Sequence, residues 1–147
     1  MPVRPIPEGY HSVTPYLNVK GATKLIDFLK QAFGAEEIER HNAPNGTIMH
    51  AEVKIGDSRI MLSEAGEQMP ATQSALYIYV NDVDATYKRA LTVGGKQLME
   101  VSDKFYGDRS GSLLSLRWEQ YRVPWSRVRV LSRPVGLRVA GLAVAAS

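Results

Sequence analysis

Cysteine is absent from this chain of 147 residues, which excludes disulfide scaffolds, Cys-ligated zinc and thiol nucleophiles. Long apolar runs are absent too. The longest, around Ala143 to Ala146, falls far short of the roughly 20 residues a bilayer span needs, so no membrane partner is expected. The start, Met1-Pro2-Val3-Arg4-Pro5-Ile6-Pro7, has three prolines and no apolar segment of signal-peptide length, so cytoplasmic residence is the default expectation. No glycine-rich strand-turn-helix loop is present, which argues against a nucleotide-type cofactor. What is there, 44% apolar and 22% charged residues, suits one globular domain with its own core.

Acidic residues are scarce in one region only. Residues 1–112 hold 12 Lys+Arg against 14 Asp+Glu, a net of −2, whereas residues 113–147 hold 6 Arg, no Lys and the single acid Glu119, a net of +5. The overall charge of +3 is therefore a property of the Arg-rich tail. A nucleic-acid partner, which that charge would otherwise suggest, is not expected of the mildly acidic body.

Ser12 to Val19 alternates, with Val13, Pro15, Leu17 and Val19 on one face, and predicts a half-buried strand near a sheet edge. From Ala22 the period becomes helical: Ala22, Leu25, Ile26, Leu29 and Phe33 form a stripe, and Gly34 stands at the C-cap. Strands are predicted over 36–42, 48–55 and 58–64, parted by Pro44-Asn45-Gly46 and Gly56-Asp57. The same order restarts at Ala75, with a helix over about 83–93. An offset of 61 residues superimposes helix face on helix face, placing Leu17 on Ile78, Ala22 on Val83, Leu29 on Ala90 and Gly34 on Gly95. The pattern predicts two copies of one βαβββ unit, about 8–65 and 75–130.

Three segments carry a family likeness: Tyr10-His11-Ser12-Val13-Thr14-Pro15-Tyr16-Leu17, Met49-His50-Ala51-Glu52-Val53-Lys54-Ile55-Gly56-Asp57-Ser58 and Tyr106-Gly107-Asp108-Arg109-Ser110-Gly111. Together they resemble the PhnB-like branch of the vicinal oxygen chelate superfamily, which includes glyoxalase I, extradiol dioxygenases and bleomycin-resistance proteins. The resemblance covers about residues 8–112. It implies an α+β fold of two βαβββ modules, each curling a mostly antiparallel sheet around a cleft with its helix outside, usually as a homodimer. In metal-dependent members four cleft side chains, typically His, Gln or Glu, hold a divalent ion. Alignment with glyoxalase I puts Thr14, Met61 and Ala75 at three of these positions, where a hydroxyl, a thioether and a methyl make poor ligands, so no metal cofactor is expected. The fourth position falls in the last strand, and Glu119 has no matching motif around it.

Strand alternation places Thr14, Tyr16, His50, Glu52, Met61, Ser63, Tyr77 and Tyr79 on the face away from the helices. Such a lining suits a small organic ligand held by stacking and a few hydrogen bonds; the competing reading is the solvated or interface side of a sheet. His50 and Glu52, two apart, form either an acid/base pair, two ligands of a displaced metal, or a surface couple. His11 is expected to be structural or exposed, and His41 a loop residue. Arg109 is offered either as a bidentate contact to an anionic substrate or as half of a structural ion pair. Phe105 and Tyr106 wall the cleft or pack the core.

Past Ser112 the likeness stops. Family members continue into an Asp-Pro-Phe-Gly-Asn turn and a final aromatic strand. Here the chain reads Leu113-Leu114-Ser115-Leu116-Arg117-Trp118-Glu119-Gln120. One codon choice for Ser115 to Gln120, read one base later, encodes Pro-Phe-Gly-Gly-Asn, so a reading-frame shift near Ser112 is one account of the break. Arg127-Val128-Arg129-Val130 alternates well enough to serve as a substitute strand that completes the second sheet. The sequence thus leads to a metal-independent protein that binds a small organic molecule in a dimeric cleft, by analogy with bleomycin-resistance proteins. The alternative is a lyase, isomerase or dioxygenase with a metal relocated to His50 and Glu52.

Overall fold

A computed structural model describes residues 4–115 and 127–132. The first unit comprises β1 (Tyr16–Val19), α1 (Ala22–Phe33), β2 (Glu36–Asn42), β3 (Ile48–Ile55) and β4 (Ser58–Glu64). The second repeats that order as β5 (Ala75–Tyr79), α2 (Val83–Thr92), β6 (Lys96–Asp103), β7 (Arg109–Leu114) and β8 (Arg127–Ser132). Each makes a four-stranded sheet, β1-β4-β3-β2 and β5-β8-β7-β6. Both sheets are mixed, because β1 runs parallel to β4 and β5 parallel to β8 while the other pairs are antiparallel. The fold is α+β and forms no closed barrel.

Helix α1 buries Ala22, Leu25, Ile26, Phe28, Leu29 and Ala32. These pack on Leu17, Val19, Ala51, Val53, Ile60 and Leu62 from one sheet face. Each fully buried Leu or Ile contributes about 1.5–3 kcal/mol. Gly34 ends the helix at φ 66, and its amide bonds to the Lys30 carbonyl, as the sequence predicts. At the other end Gly21 supplies no side-chain cap. The Glu64 carboxylate, at the end of β4, accepts the Gly21 and Ala22 amides at 2.7 and 2.8 Å, meeting the exposed N–H groups and the positive end of the helix dipole. Helix α2 is capped locally, with Asp82 accepting the Ala85 amide at 2.9 Å. It ends at Thr92, one residue before the predicted limit. The two helices pack on each other, and Arg89 Nε donates to the Ala32 carbonyl at 2.8 Å.

Three expectations need correction. The first strand begins at Tyr16 rather than Ser12, and Val13 is 83% exposed: the alternation of 12–15 continues beyond the ladder, where no helix covers it. His41 lies within β2, opposite His50, rather than in the loop. Phe105 and Tyr106 neither pack in the core nor line a cleft; they form an edge-to-face pair on the exposed turn between β6 and β7. The segment Arg127-Val128-Arg129-Val130 does complete the second sheet, and Val128 and Val130 are fully buried.

Candidate functional site

The registers arrange the helix-free face of the first sheet in rows. One row crosses all four strands through Glu39, Glu52, Met61 and Tyr16; the next carries His41, His50, Ser63 and Asn18. Glu52 sits at the centre with only 3% of its surface exposed. An isolated carboxylate there would be costly, and three donors converge on it. Arg59 Nη1 reaches Oε2 at 3.0 Å, the Tyr10 hydroxyl donates to the same oxygen, and His50 Nε2 lies 3.3 Å from Oε1. The Arg59 guanidinium lies 4.4 Å from the Tyr10 ring centroid, adding a cation–π contact. Gly9 makes room for it, since a Cβ there would stand 2.9 Å from Arg59 Nη2.

Burial pushes the Glu52 carboxyl up, but the hydrogen bonds from Tyr10, His50 and Arg59 outweigh it and hold the group below its ordinary value of 4.5. The Tyr10 hydroxyl is pushed up, chiefly by its bond to Glu52. A carboxyl whose folded pKa is depressed stabilises the fold above its unfolded value, and that stability is lost as pH falls through the folded value. A denaturant midpoint that is flat above pH 5 and declines below about 4.5 is therefore expected, with a weaker acid dependence in Glu52→Gln. Equal acid profiles for the two proteins would contradict it.

The other predicted site residues divide between hollows. Thr14 and Met61 border a hollow beside Tyr10 and His11. Tyr77 and Tyr79, each 60% exposed, border a groove of 360 Å³ between β5 and the β3–β4 turn, together with Thr14, Val13 and Arg59. Tyr16 reaches His50 instead, its hydroxyl 3.5 Å from Nδ1. Ser63 is buried and donates to Asn18 Oδ1 at 2.9 Å. Arg109 is not brought to these hollows. Asp84 of α2 holds it through two 2.8 Å contacts and Asp103 through one of 3.0 Å, so of its two readings the ion pair is the one present.

Four residues of these faces escaped the sequence reading: Tyr10, Glu39, Arg59 and Arg129. Alternation along 36–42 and 58–64 already puts Glu39 beside His41 and Arg59 beside Met61, so that signal was available. Tyr10 precedes the first strand and carries no periodic signal.

Two mixed sheets, each backed by one helix and free of helix on its other face among the described residues, make up the paired-module architecture of the glyoxalase fold. The family model described as Glyoxalase/Bleomycin resistance protein/Dioxygenase superfamily matches residues 9–113, and the chain belongs to that superfamily. An uncharacterized protein of Mycobacterium bovis is 32% identical over 111 residues, covering 68% of this chain and 73% of the relative. The chain spans 65%, just under two thirds, of two Mycobacterium tuberculosis relatives at the same identity. Among solved structures, TioX from Micromonospora sp. ML1 shares the fold at TM-score 0.64 and 21% identity, over 86% of this chain and 99% of that one. TnmS3, an antibiotic binding protein from Streptomyces sp. CB03234, does so at 0.61 and 15%, over 84% and 99%. The PhnB protein of Bacillus cereus does so at 0.56 and 16%, over 82% and 99%.

The registers also point to the fourth of the family's metal positions. Tyr16 pairs with Met61 in the first sheet; the 61-residue repeat carries Tyr16 to Tyr77, and Tyr77 pairs with Arg129 in the second. On the alignment that the resemblance to glyoxalase I implies, the four positions would fall on Thr14, Met61, Ala75 and Arg129. A hydroxyl, a thioether, a methyl and a guanidinium do not fit a divalent ion.

No helix among the described residues is long and apolar enough to cross a membrane.

Proposed function

We propose that this chain binds a small organic molecule without a metal, on the helix-free faces of its sheets, as a sequestering protein of the bleomycin-resistance type acting as a homodimer. What supports the reading is the chemistry of Thr14, Met61, Ala75 and Arg129, the poorly ligating residues that the resemblance and the strand registers together assign to the four metal positions. Exposed Tyr16, Tyr77 and Tyr79 supply stacking surface on the same faces or at their rim, and the volume of the groove beside Tyr77 is in the range of small-molecule sites. TnmS3, of the same fold, is described as binding an antibiotic. A thermal-shift screen of aromatic antibiotics, α-keto aldehydes and phosphonates is expected to give at least one hit whose stabilisation falls about tenfold in apparent affinity in Tyr77→Ala. Hits indifferent to Tyr77 and Tyr79, or none, would count against it.

One observation favours a second reading, a metal-dependent lyase, isomerase or dioxygenase. Ligand atoms of Glu39, His50 and Glu52 all lie within 4.8 Å of one another. Two carboxylates and an imidazole suit a divalent transition metal, and the Tyr16 hydroxyl at Nδ1 leaves His50 Nε2 turned to this cluster. Against it, the Arg59 cation stands 3.0 Å from Glu52 and already neutralises that carboxylate. Stoichiometric zinc or nickel retained after dialysis, and lost in His50→Ala, would establish this second reading over the first.

A further inference from the structure

The residue that pairs with Tyr77 as Met61 pairs with Tyr16 is a cation, and its surroundings indicate what that cation is for. Tyr77 of β5, Arg129 of β8, Ser112 of β7 and Met99 of β6 form one row across the helix-free face of the second sheet. They border a hollow of 460 Å³ completed by Ala75, Leu76 and Leu98. Arg129 is half-buried, with its guanidinium 5.2 Å from the Tyr77 ring centroid.

Among the described residues of this module, four acids are engaged elsewhere. Asp82 caps α2, Asp84 and Asp103 hold Arg109, and Glu100 accepts from Gln97. Elsewhere in the described chain, Arg40 is matched by Glu37 and Arg59 by Glu52. Arg129, like Arg89, forms no ion pair with a carboxylate among the described residues, but unlike Arg89, which donates to the Ala32 carbonyl, it faces a hollow. A guanidinium set among Leu76, Leu98, Met99 and an aromatic face, with no counter-charge among the described residues, is arranged to take one from a ligand.

We infer that the hollow over Tyr77 and Arg129 takes an organic anion, a carboxylate or phosphonate carried on an apolar or aromatic body. The oxyanion accepts two N–H bonds from Arg129, and the body lies on the Tyr77 ring against Leu98 and Met99. The guanidinium then does by hydrogen bonding what a metal at that position does by coordination: it fixes and neutralises ligand oxygens. This rests on the small-molecule reading above and adds the charge of the ligand to it.

The test uses the full chain and charge-matched pairs: 1-naphthoate against 1-naphthamide, and phenylphosphonate against its neutral diethyl ester, by calorimetry and thermal shift. The expected result is that at least one acid binds about tenfold or more tighter than its neutral partner, in line with a hydrogen bond to a charged group. That preference should vanish in Arg129→Gln and survive in Arg109→Gln, whose guanidinium is already taken. The relative affinities of naphthoate and phenylphosphonate tell which oxyanion the hollow prefers. Neutral partners binding as well as the acids, or acid binding unchanged in Arg129→Gln, would overturn this inference and leave the small-molecule reading standing. If no member of either pair binds and the broader antibiotic screen is also blank, both fall together.

Discussion

Replacing Glu52 by Ala is expected to lower the unfolding free energy by about 3 kcal/mol, the scale on which removing one partner of a buried ion pair acts. The carboxylate is the meeting point of Arg59, Tyr10 and His50, and its loss leaves a guanidinium and a phenol without their acceptor under the N-terminal segment. For a domain whose total stability is about 5–15 kcal/mol, that is a large fraction. The double variant Glu52→Leu/Arg59→Met removes both charges and is expected to recover much of the loss, since a hydrophobic pair of similar size can replace a buried ion pair at little cost. Urea midpoints at neutral pH for the single and double variants provide the check. A loss below about 0.5 kcal/mol in Glu52→Ala would mean that the network behaves as a solvated surface cluster.

Val130→Asp is expected to abolish the cooperative folding of the second module. Val130 is fully buried, packs with Val128 and Leu113 in the common core, and lies on the helix side of β8. A carboxylate placed there has neither water nor a cation and costs several kcal/mol, enough to exceed the module's share of the stability. Arg129→Gln, one residue away, projects to the opposite face and is expected to melt within about 0.5 kcal/mol of the parent. The pair of variants, followed by near-UV circular dichroism, asks whether β8 is part of the core. A folded Val130→Asp protein would show that the sheet does not depend on it.

That strand also shows how far the sequence could be read. The alternation of Arg127 to Val130 was legible, because a strand with one face on a core writes a period of two into the chain. The same local physics made α1 and the strands 36–42, 48–55 and 58–64 readable, and the change of period at Ala22 marked where strand gives way to helix. Where the alternation ran past its ladder, at Val13, the reading failed. A period describes which face a residue would present and not whether anything covers that face.

The site was legible only in outline. Alternation put Tyr16, His50, Glu52, Met61 and Tyr77 on the helix-free faces, since facing is a property of a single strand. Partnership is not. The ion pair of Arg109 with Asp84 depends on how β7 sits against α2, 25 residues away in sequence. Tyr10 reaches Glu52 across 42 residues with no pattern to announce it.

The sequence by itself determined the two repeated units, the helix stripes and the family, because each is written in local period or in residue identity. The tertiary structure decided what those residues do to one another. Register set Arg129 beside Tyr77 at the position equivalent to Met61, and the fold gave Glu52 its three donors. Those pairings depend on how strands are aligned side by side, a choice that long-range packing makes and no single segment contains.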